Sequence, residues 1–287
     1  MAVKQVQMKG IAAAPGLALG RVLRFEPGRL QAPADRIPQE QVEREVEALS
    51  RARDGARREL AELTEQVSRD LGEAHAAIFR AHDLILGDPL FQEGVEKRIR
   101  QGRANAALAV SESVRDFLKA FRGVEDPYLR ERAADVEDVA QRLLRHILGR
   151  EARGLDGAEP GSVVVAQELS PSDCVRLSPH VAALATTGGG PTGHTAIVAR
   201  ALKIPAVVGL EGLMDLVRDG DPVMVDGSAG LVTLHPEAPA LSRFRVEKRK
   251  LTREARELRS LRALPAQTPD GKTIELGANV EFPNEMP

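Results

Sequence analysis

Between residues 39 and 149 the apolar side chains recur at intervals of three and four, and this run lies between two stretches built from short β-branched strings. A period near 3.6 demands a helical partner for its apolar stripe, whereas short continuous apolar strings belong to sheets. The chain must therefore combine a helical part with an α/β part. Over residues 39–71, Val42, Val46, Leu49, Leu60, Leu63 and Val67 repeat amid dense Glu and Arg, which predicts a long amphipathic helix forming one arm of a hairpin. Further helices are expected over residues 73–86, 89–100 and 104–121, with Pro89 suited to a first turn behind Asp88. The clearest spans residues 127–148, where Leu129, Ala133, Val136, Ala140, Leu143 and Ile147 step by 4, 3, 4, 3 and 4 before Gly149 supplies a stop. Together these form a helical bundle.

On the amino-terminal side, Gly10, Pro15, Gly16 and Gly20 punctuate short apolar pieces, with a strand from Leu17 to Phe25 and a break at Pro33 and Pro38. After Gly161, apolar strings at residues 162–166, 181–185, 206–209 and 222–225 alternate with helical segments. The expected organisation is one α/β domain made of residues 1–37 and 149–237, with the bundle at residues 38–148 inserted into it. A connecting helix at residues 238–263 follows, and residues 264–287 open a further domain and stop short of it.

With 287 residues and 43% hydrophobic content a packed core is affordable. The 40 Lys and Arg against 42 Asp and Glu, with 3% aromatic residues, argue against nucleic-acid binding by a basic face or by stacking. No apolar run is long enough to span a membrane, and the amino-terminal one is too short for a secretion signal. Cys174 is the one cysteine, which excludes an internal disulfide and a cysteine-based zinc site and suggests a reducing, cytoplasmic compartment.

Residues 186–209, TTGGGPTGHTAIVARALKIPAVVG, carry the most chemistry. Three glycines, Pro191 and Thr192-Gly193 form a loop, residues 195–203 read as a helix, and Pro205 ends it, so His194 stands at a helix N-terminus. Free amides and the positive helix end suit an anion there, and the glycines let backbone approach it. No Gly-Lys-Ser/Thr follows, so the loop is not a Walker A motif, and the nucleophile on offer is an imidazole able to carry a phosphoryl group. From the residues alone, a solvent-facing histidine behind a plain turn remains the alternative. His75, His82, His146, His180 and His235 share no metal-ligand spacing. Glu131, Asp135, Asp138 and Arg142 line one helix face, either as a carboxylate metal site or as a solvated face with i, i+4 pairing; the solvated face is expected. Cys174 reads as an inert, partly buried thiol.

The glycine-loop segment resembles the phosphohistidine swivel domain of phosphoenolpyruvate-utilising enzymes, a group that includes dikinases, phosphoenolpyruvate synthase and the enzyme I family of the bacterial sugar phosphotransferase system. KGIAAAPGLALGRVL at the start and YLRERAADVEDVAQRLLRHILG at residues 128–149 resemble the opening strand and the last bundle helix of enzyme I. AIFRAHDLIL, QELSPSD and VMVDGSAGLV extend the resemblance in order along essentially the whole chain, and GKTIELGANV resembles the first strand of the family's phosphoenolpyruvate-binding barrel. The fold implied is an α/β phosphohistidine swivel domain with an inserted all-α subdomain that binds the carrier protein HPr.

By that resemblance His194 is phosphorylated on Nε2, Ser170 supplies a hydroxyl to the histidine, and Thr192 and Arg200 contact the phosphate. Glu73, Phe79, His82 and Arg132 match the carrier-docking surface, His82 at an exposed position of it, although Gly87-Asp88-Pro89 replaces a more acidic stretch. Pro191 and Gly193 stand where the family has Arg and Ser, removing a positive charge and a hydroxyl beside the histidine. The implied reaction is phosphoryl transfer from phosphoenolpyruvate to a histidine of HPr. No cofactor is expected in this chain, whereas magnesium, phosphoenolpyruvate binding and homodimerisation are expected of the full-length enzyme through its barrel. The other readings are a phosphocarrier or regulatory module of a multiphosphoryl protein, the phosphohistidine domain of a dikinase-like enzyme, and a purely structural helical protein.

Overall fold

The computed structural model describes residues 4–26, 30–121, 127–150, 155, 157–177, 180–191, 193–261, 264–275 and 277, with the backbone alone at residues 70, 71, 74, 120, 121 and 127–132. Two compact units emerge: Met1–Glu26, Asp156–Leu169 and Leu177–Pro287 form one, and Pro27–Leu155 with Ser170–Arg176 form the other.

The second unit is helical. A 3-10 turn at Gln39–Gln41 leads into α1 (Val42–Leu71), followed by α2 (Glu73–Gly87), α3 (Pro89–Arg100), α4 (Ala106–Phe121), α5 (Pro127–Leu148) and the short α6 (Pro171–Val175). The apolar stripe read from the sequence is the one buried: Val42, Leu49, Leu60, Leu63 and Val67 of α1 face inward with Val136, Ala140 and Leu143 of α5. Helix α3 begins where the sequence places it, because the Asp88 carboxylate accepts from Phe91 N at 2.9 Å and Pro89 occupies the first turn.

The first unit is a mixed sheet of eight strands: β1 (Val6–Lys9), β2 (Ile11–Ala14), β3 (Leu17–Phe25), β4 (Ser162–Ala166), β5 (Ala183–Thr186), β6 (Ala206–Val208), β7 (Pro222–Asp226) and β8 (Leu231–Leu234). Their spatial order is β1-β8-β7-β3-β4-β5-β6-β2, so the two outermost strands are neighbours in sequence, separated by Gly10 alone. The sheet thus closes on itself. Strand β3 serves two partners: its first half pairs antiparallel with β7 and its second half parallel with β4. Crossing backbones require glycine, since a Cβ on Gly10 would lie 2.5 Å from Val208 O, and one on Gly227 would lie 2.0 Å from Ala14 O. Val163, Val165, Ala185, Val207, Val223, Val225, Val232 and Leu234 fill the interior. The same unit carries α7 (His194–Ala201), α8 (Leu213–Leu216) and α9 (Ala238–Leu261), of which α9 buries Ala240 and Phe244 and exposes most of its remaining length.

Several expectations are corrected. Residues 27–37 and Ser170–Arg176 group with the helices rather than with the α/β domain, and α9 groups with the sheet unit rather than standing as a separate linker. The string at residues 181–185 begins its strand two residues later, at Ala183, and strands β1, β2 and β8 are additional. The face of α5 carrying Asp135, Asp138 and Arg142 is not solvated: all three are buried, and Arg142 is 0% exposed. Cys174 is fully rather than partly buried. Among the described residues no helix is long and apolar enough to cross a membrane.

Candidate functional site

His194 opens α7 and is half-buried, directly after the loop that leaves β5. The loop is anchored at several points. Thr186 Oγ1 donates to Gly188 O at 2.8 Å, and Gly188 N donates to Gln167 O at 2.8 Å. Gly189 takes a φ of 91°, a left-handed value that favours glycine. Gly193 caps the helix with extended backbone and offers no side chain to the first-turn amides. Those of His194, Thr195 and Ala196 precede the first helical bond, from Ile197 N to Gly193 O at 3.1 Å. An anion held against this turn would meet amide donors and the positive end of the helix while facing a histidine ring.

Arg200 lies one to two turns along α7, where its Nη1 donates to Ala13 O at 2.9 Å and to Pro191 O at 3.0 Å. It therefore braces the glycine loop against the end of β2. Thr192 lies outside the described residues. Ser170 belongs to the helical unit, as N-cap of α6 in a reciprocal capping box: its Oγ accepts from Asp173 N at 3.2 Å and its own N donates to Asp173 Oδ2 at 3.0 Å. Accepting one amide leaves the hydroxyl proton available for donation.

The structure separates the residues expected to dock a carrier. Glu73 is exposed; its carboxylate takes bonds from Ser68 Oγ and from Arg80 Nη1, the latter at 2.8 Å, and these hold it below the usual carboxylate range. Phe79 and His82 are corrected: they are 2% and 0% exposed, because the periodicity of α2 turns them toward the core, where they meet edge to face at 6.0 Å. The side chain of Arg132 lies outside the described residues. What the sequence reading missed is the outward stripe of α2, formed by Glu73, Ala77, Arg80 and Leu84 and continued by Leu90 at the start of α3. Leu84 is 74% exposed and Leu90 80% exposed, a pair of large apolar side chains beside charged ones. The signal was present in the spacing, since Glu73, Arg80 and Leu84 share a face that Phe79 and His82 do not.

For magnesium, among the described residues no group of three or more His, Cys, Asp or Glu side chains is arranged to hold a metal ion.

Residues 9–132 match the model of the PEP-utilising enzyme, N-terminal family, and residues 158–230 match that of the PEP-utilising enzyme, mobile domain. Over 283 residues the chain is 34% identical to a phosphoenolpyruvate-protein phosphotransferase of Staphylococcus carnosus (strain TM300), covering 98% of this chain and 49% of that one. The corresponding protein of Geobacillus stearothermophilus is 35% identical over 286 residues, covering 99% and 49%. Among solved structures, the NMR solution structure of Enzyme I (nEIt) matches with a TM-score of 0.69 and 34% identity, covering 85% of this chain and 99% of that one. An N-terminal domain of Enzyme 1 - Nitrogen matches with a TM-score of 0.55 and 25% identity, covering 83% and 98%. The chain spans about half the length of the curated relatives it matches.

Proposed function

Because the chain belongs to the enzyme I family of phosphoenolpyruvate-utilising enzymes, we propose that it carries a phosphoryl group on His194 and exchanges it with a histidine of an HPr-type carrier docked on the helical unit. The observation that carries this reading is the half-buried His194 at the uncapped first turn of α7. In the transfer, the Nε2 lone pair forms the new N–P bond while the bond from phosphorus to the donor breaks. When the phosphorylated carrier is the donor, the electron pair returns to the carrier's imidazole; in the opposite direction the carrier's imidazole attacks phosphorus and the pair returns to His194 Nε2. In the loading reaction of the whole enzyme it leaves on the enol oxygen of phosphoenolpyruvate. Such transfer needs placement and charge stabilisation more than covalent machinery. Here the amides of the first turn of α7 receive phosphoryl oxygens and Arg200 keeps the loop in place.

The carrier docks on the stripe from Glu73 to Leu90, with Leu84 and Leu90 as its apolar contacts and a cytoplasmic partner of basic surface as its complement. Glu73 is already paired with Arg80, so steering by charge is weak and binding loses little affinity with added salt.

The test is to incubate the chain with phospholabelled HPr in the presence of a chelator. Label appears on the wild-type chain and is absent from His194→Gln, whose circular dichroism is unchanged because the residue lies at a loop–helix junction. Transfer between two imidazoles proceeds without a metal to polarise an enol phosphate. Label that persists in His194→Gln removes the histidine from the mechanism.

A further inference from the structure

Within the helical unit, four helices leave a cavity of about 140 Å³ between them. Helix α1 lends Val46, Leu49, Ser50 and Arg53, whose i, i+3, i+4 and i+7 spacing puts them on one face. Helix α3 lends Phe91, Gln92, Val95 and Glu96 from the other side, while Leu86 of α2 and Leu143 of α5 complete the enclosure. Leu49, Leu86, Val95 and Leu143 are buried and make an apolar floor. The other lining residues of α1 and α3 are half-buried, so the cavity opens to solvent between those two helices.

The polar groups of the rim are largely occupied with one another. Arg53 Nη1 donates to Gln92 Oε1 at 2.7 Å, and Gln92 Nε2 donates to Leu86 O at 2.9 Å near the end of α2. Each rim charge has a neighbour of opposite sign, since Arg53 Nε lies 3.8 Å from Asp54 Oδ1 and Glu96 Oε2 lies 3.9 Å from Arg100 Nε. An ion therefore finds no unbalanced charge there. Water is also poorly served, because an ordered molecule needs about 2–4 polar partners and the floor is apolar. Protein interiors pack like organic crystals, so a space of this size forfeits dispersion contacts that a fitting molecule would restore. Apolar cavities of about 150 Å³ admit a benzene ring. At the rim, Gln92 keeps one amide hydrogen and Ser50 presents a hydroxyl, and together they can meet one hydroxyl on such a ring. We propose that this cavity is a binding site for a small, neutral, single-ring aromatic molecule bearing one hydroxyl, with the ring on Leu49, Leu86, Val95 and Leu143 and the hydroxyl at Ser50 and Gln92. The site lies wholly in the helical unit and does not depend on the phosphoryl exchange proposed above.

The experiment is a titration of the chain with phenol, followed by methyl NMR. Saturable shifts are expected, largest at the methyls of Leu49, Leu86, Val95 and Leu143, with a dissociation constant on the order of 1 mM for so small a ligand. Val46→Phe fills the cavity from its half-buried wall and is expected to weaken phenol binding about tenfold or more. Val95→Leu fills it more gently from the opposite side, by one methylene, and is expected to weaken binding about threefold. Leu49→Ala enlarges the cavity and is expected to admit naphthol, which the wild type does not bind. Benzoate, the same ring carrying a charge, is expected to bind about tenfold more weakly than phenol, because a desolvated carboxylate finds no free cation at the rim. Shifts that grow without saturating, or an affinity unchanged in both filling variants, would overturn the proposal. Equal affinity for benzoate would overturn the ligand class.

Discussion

Glu59 shows how one side chain of the bundle balances opposing terms. Burial alone would push its carboxyl up, but Arg142, the hydrogen bond with His146, Arg145 and Arg176 together hold it below the ordinary glutamate value of 4.5. A carboxylate lowered on folding adds stability that is present above the unfolded value and is lost as pH falls through the folded one. Asp173 has the opposite sign: burial raises it above the ordinary 3.8, so it favours the folded state in acid and loses that contribution as pH rises through its folded value. Glu59→Gln should therefore cost about 2–4 kcal/mol at pH 7, somewhat under the usual value for a broken buried pair because the side chain is 20% exposed. The variant should also lose less stability than wild type between pH 5 and pH 3.5, as checked by urea midpoints; parallel losses would remove Glu59 from the acid limb. At this scale the glycine loop and His194 were legible because their pattern is chemical. The burial of Asp138 and Arg142 was not, since charges at i and i+4 look alike whether they face water or another polar segment. What covers them is Ser172, 30 residues beyond Arg142 in sequence.

Among the elements, α2 and α3 meet at a corner where the caps and the exposed apolar pair have separate jobs. Asp88→Ala removes the side-chain acceptor for Phe91 N and should cost about 1 kcal/mol, visible as a lower urea midpoint with an unchanged slope. Leu84→Asp and Leu90→Asp should leave stability within about 0.5 kcal/mol, as expected of exposed positions. Each should weaken HPr binding roughly tenfold or more by calorimetry, as loss of a central apolar contact does. If neither weakens it, the docking stripe is elsewhere. Elements with strong internal periodicity stood where the sequence put them: Pro89–Arg100, Pro127–Leu148 and Ser162–Ala166 agree end to end. Strands β1 and β2, reading VQMK and IAAA, have no such signal. They are strands because β8 and β6 supply their hydrogen bonds, and those partners lie about two hundred residues downstream.

For the whole molecule, the decisive feature is the joining of the sheet's two ends through Gly10. Gly10→Val places its Cβ 2.5 Å from Val208 O, so the crossing must open, at a cost of about 1–3 kcal/mol or more. Calorimetry should show a lowered transition, and the freed edges of β6 and β8 should raise aggregation on heating; a variant that melts and stays dispersed like wild type would show that the closure is not needed. The closure also sets a clock. Val6 pairs with Leu234, so on a ribosome adding roughly 5–20 residues per second the first strand waits on the order of 10–50 s for its partner to be made. Within that interval every residue of α1 to α5 has already been synthesised, and the contacts among these helices lie within residues 42–148, so none of them waits for the last strands. The inserted helices are thus expected to be native while the sheet they interrupt is still an open strand, so the nascent chain completes its helical unit first and its sheet unit last.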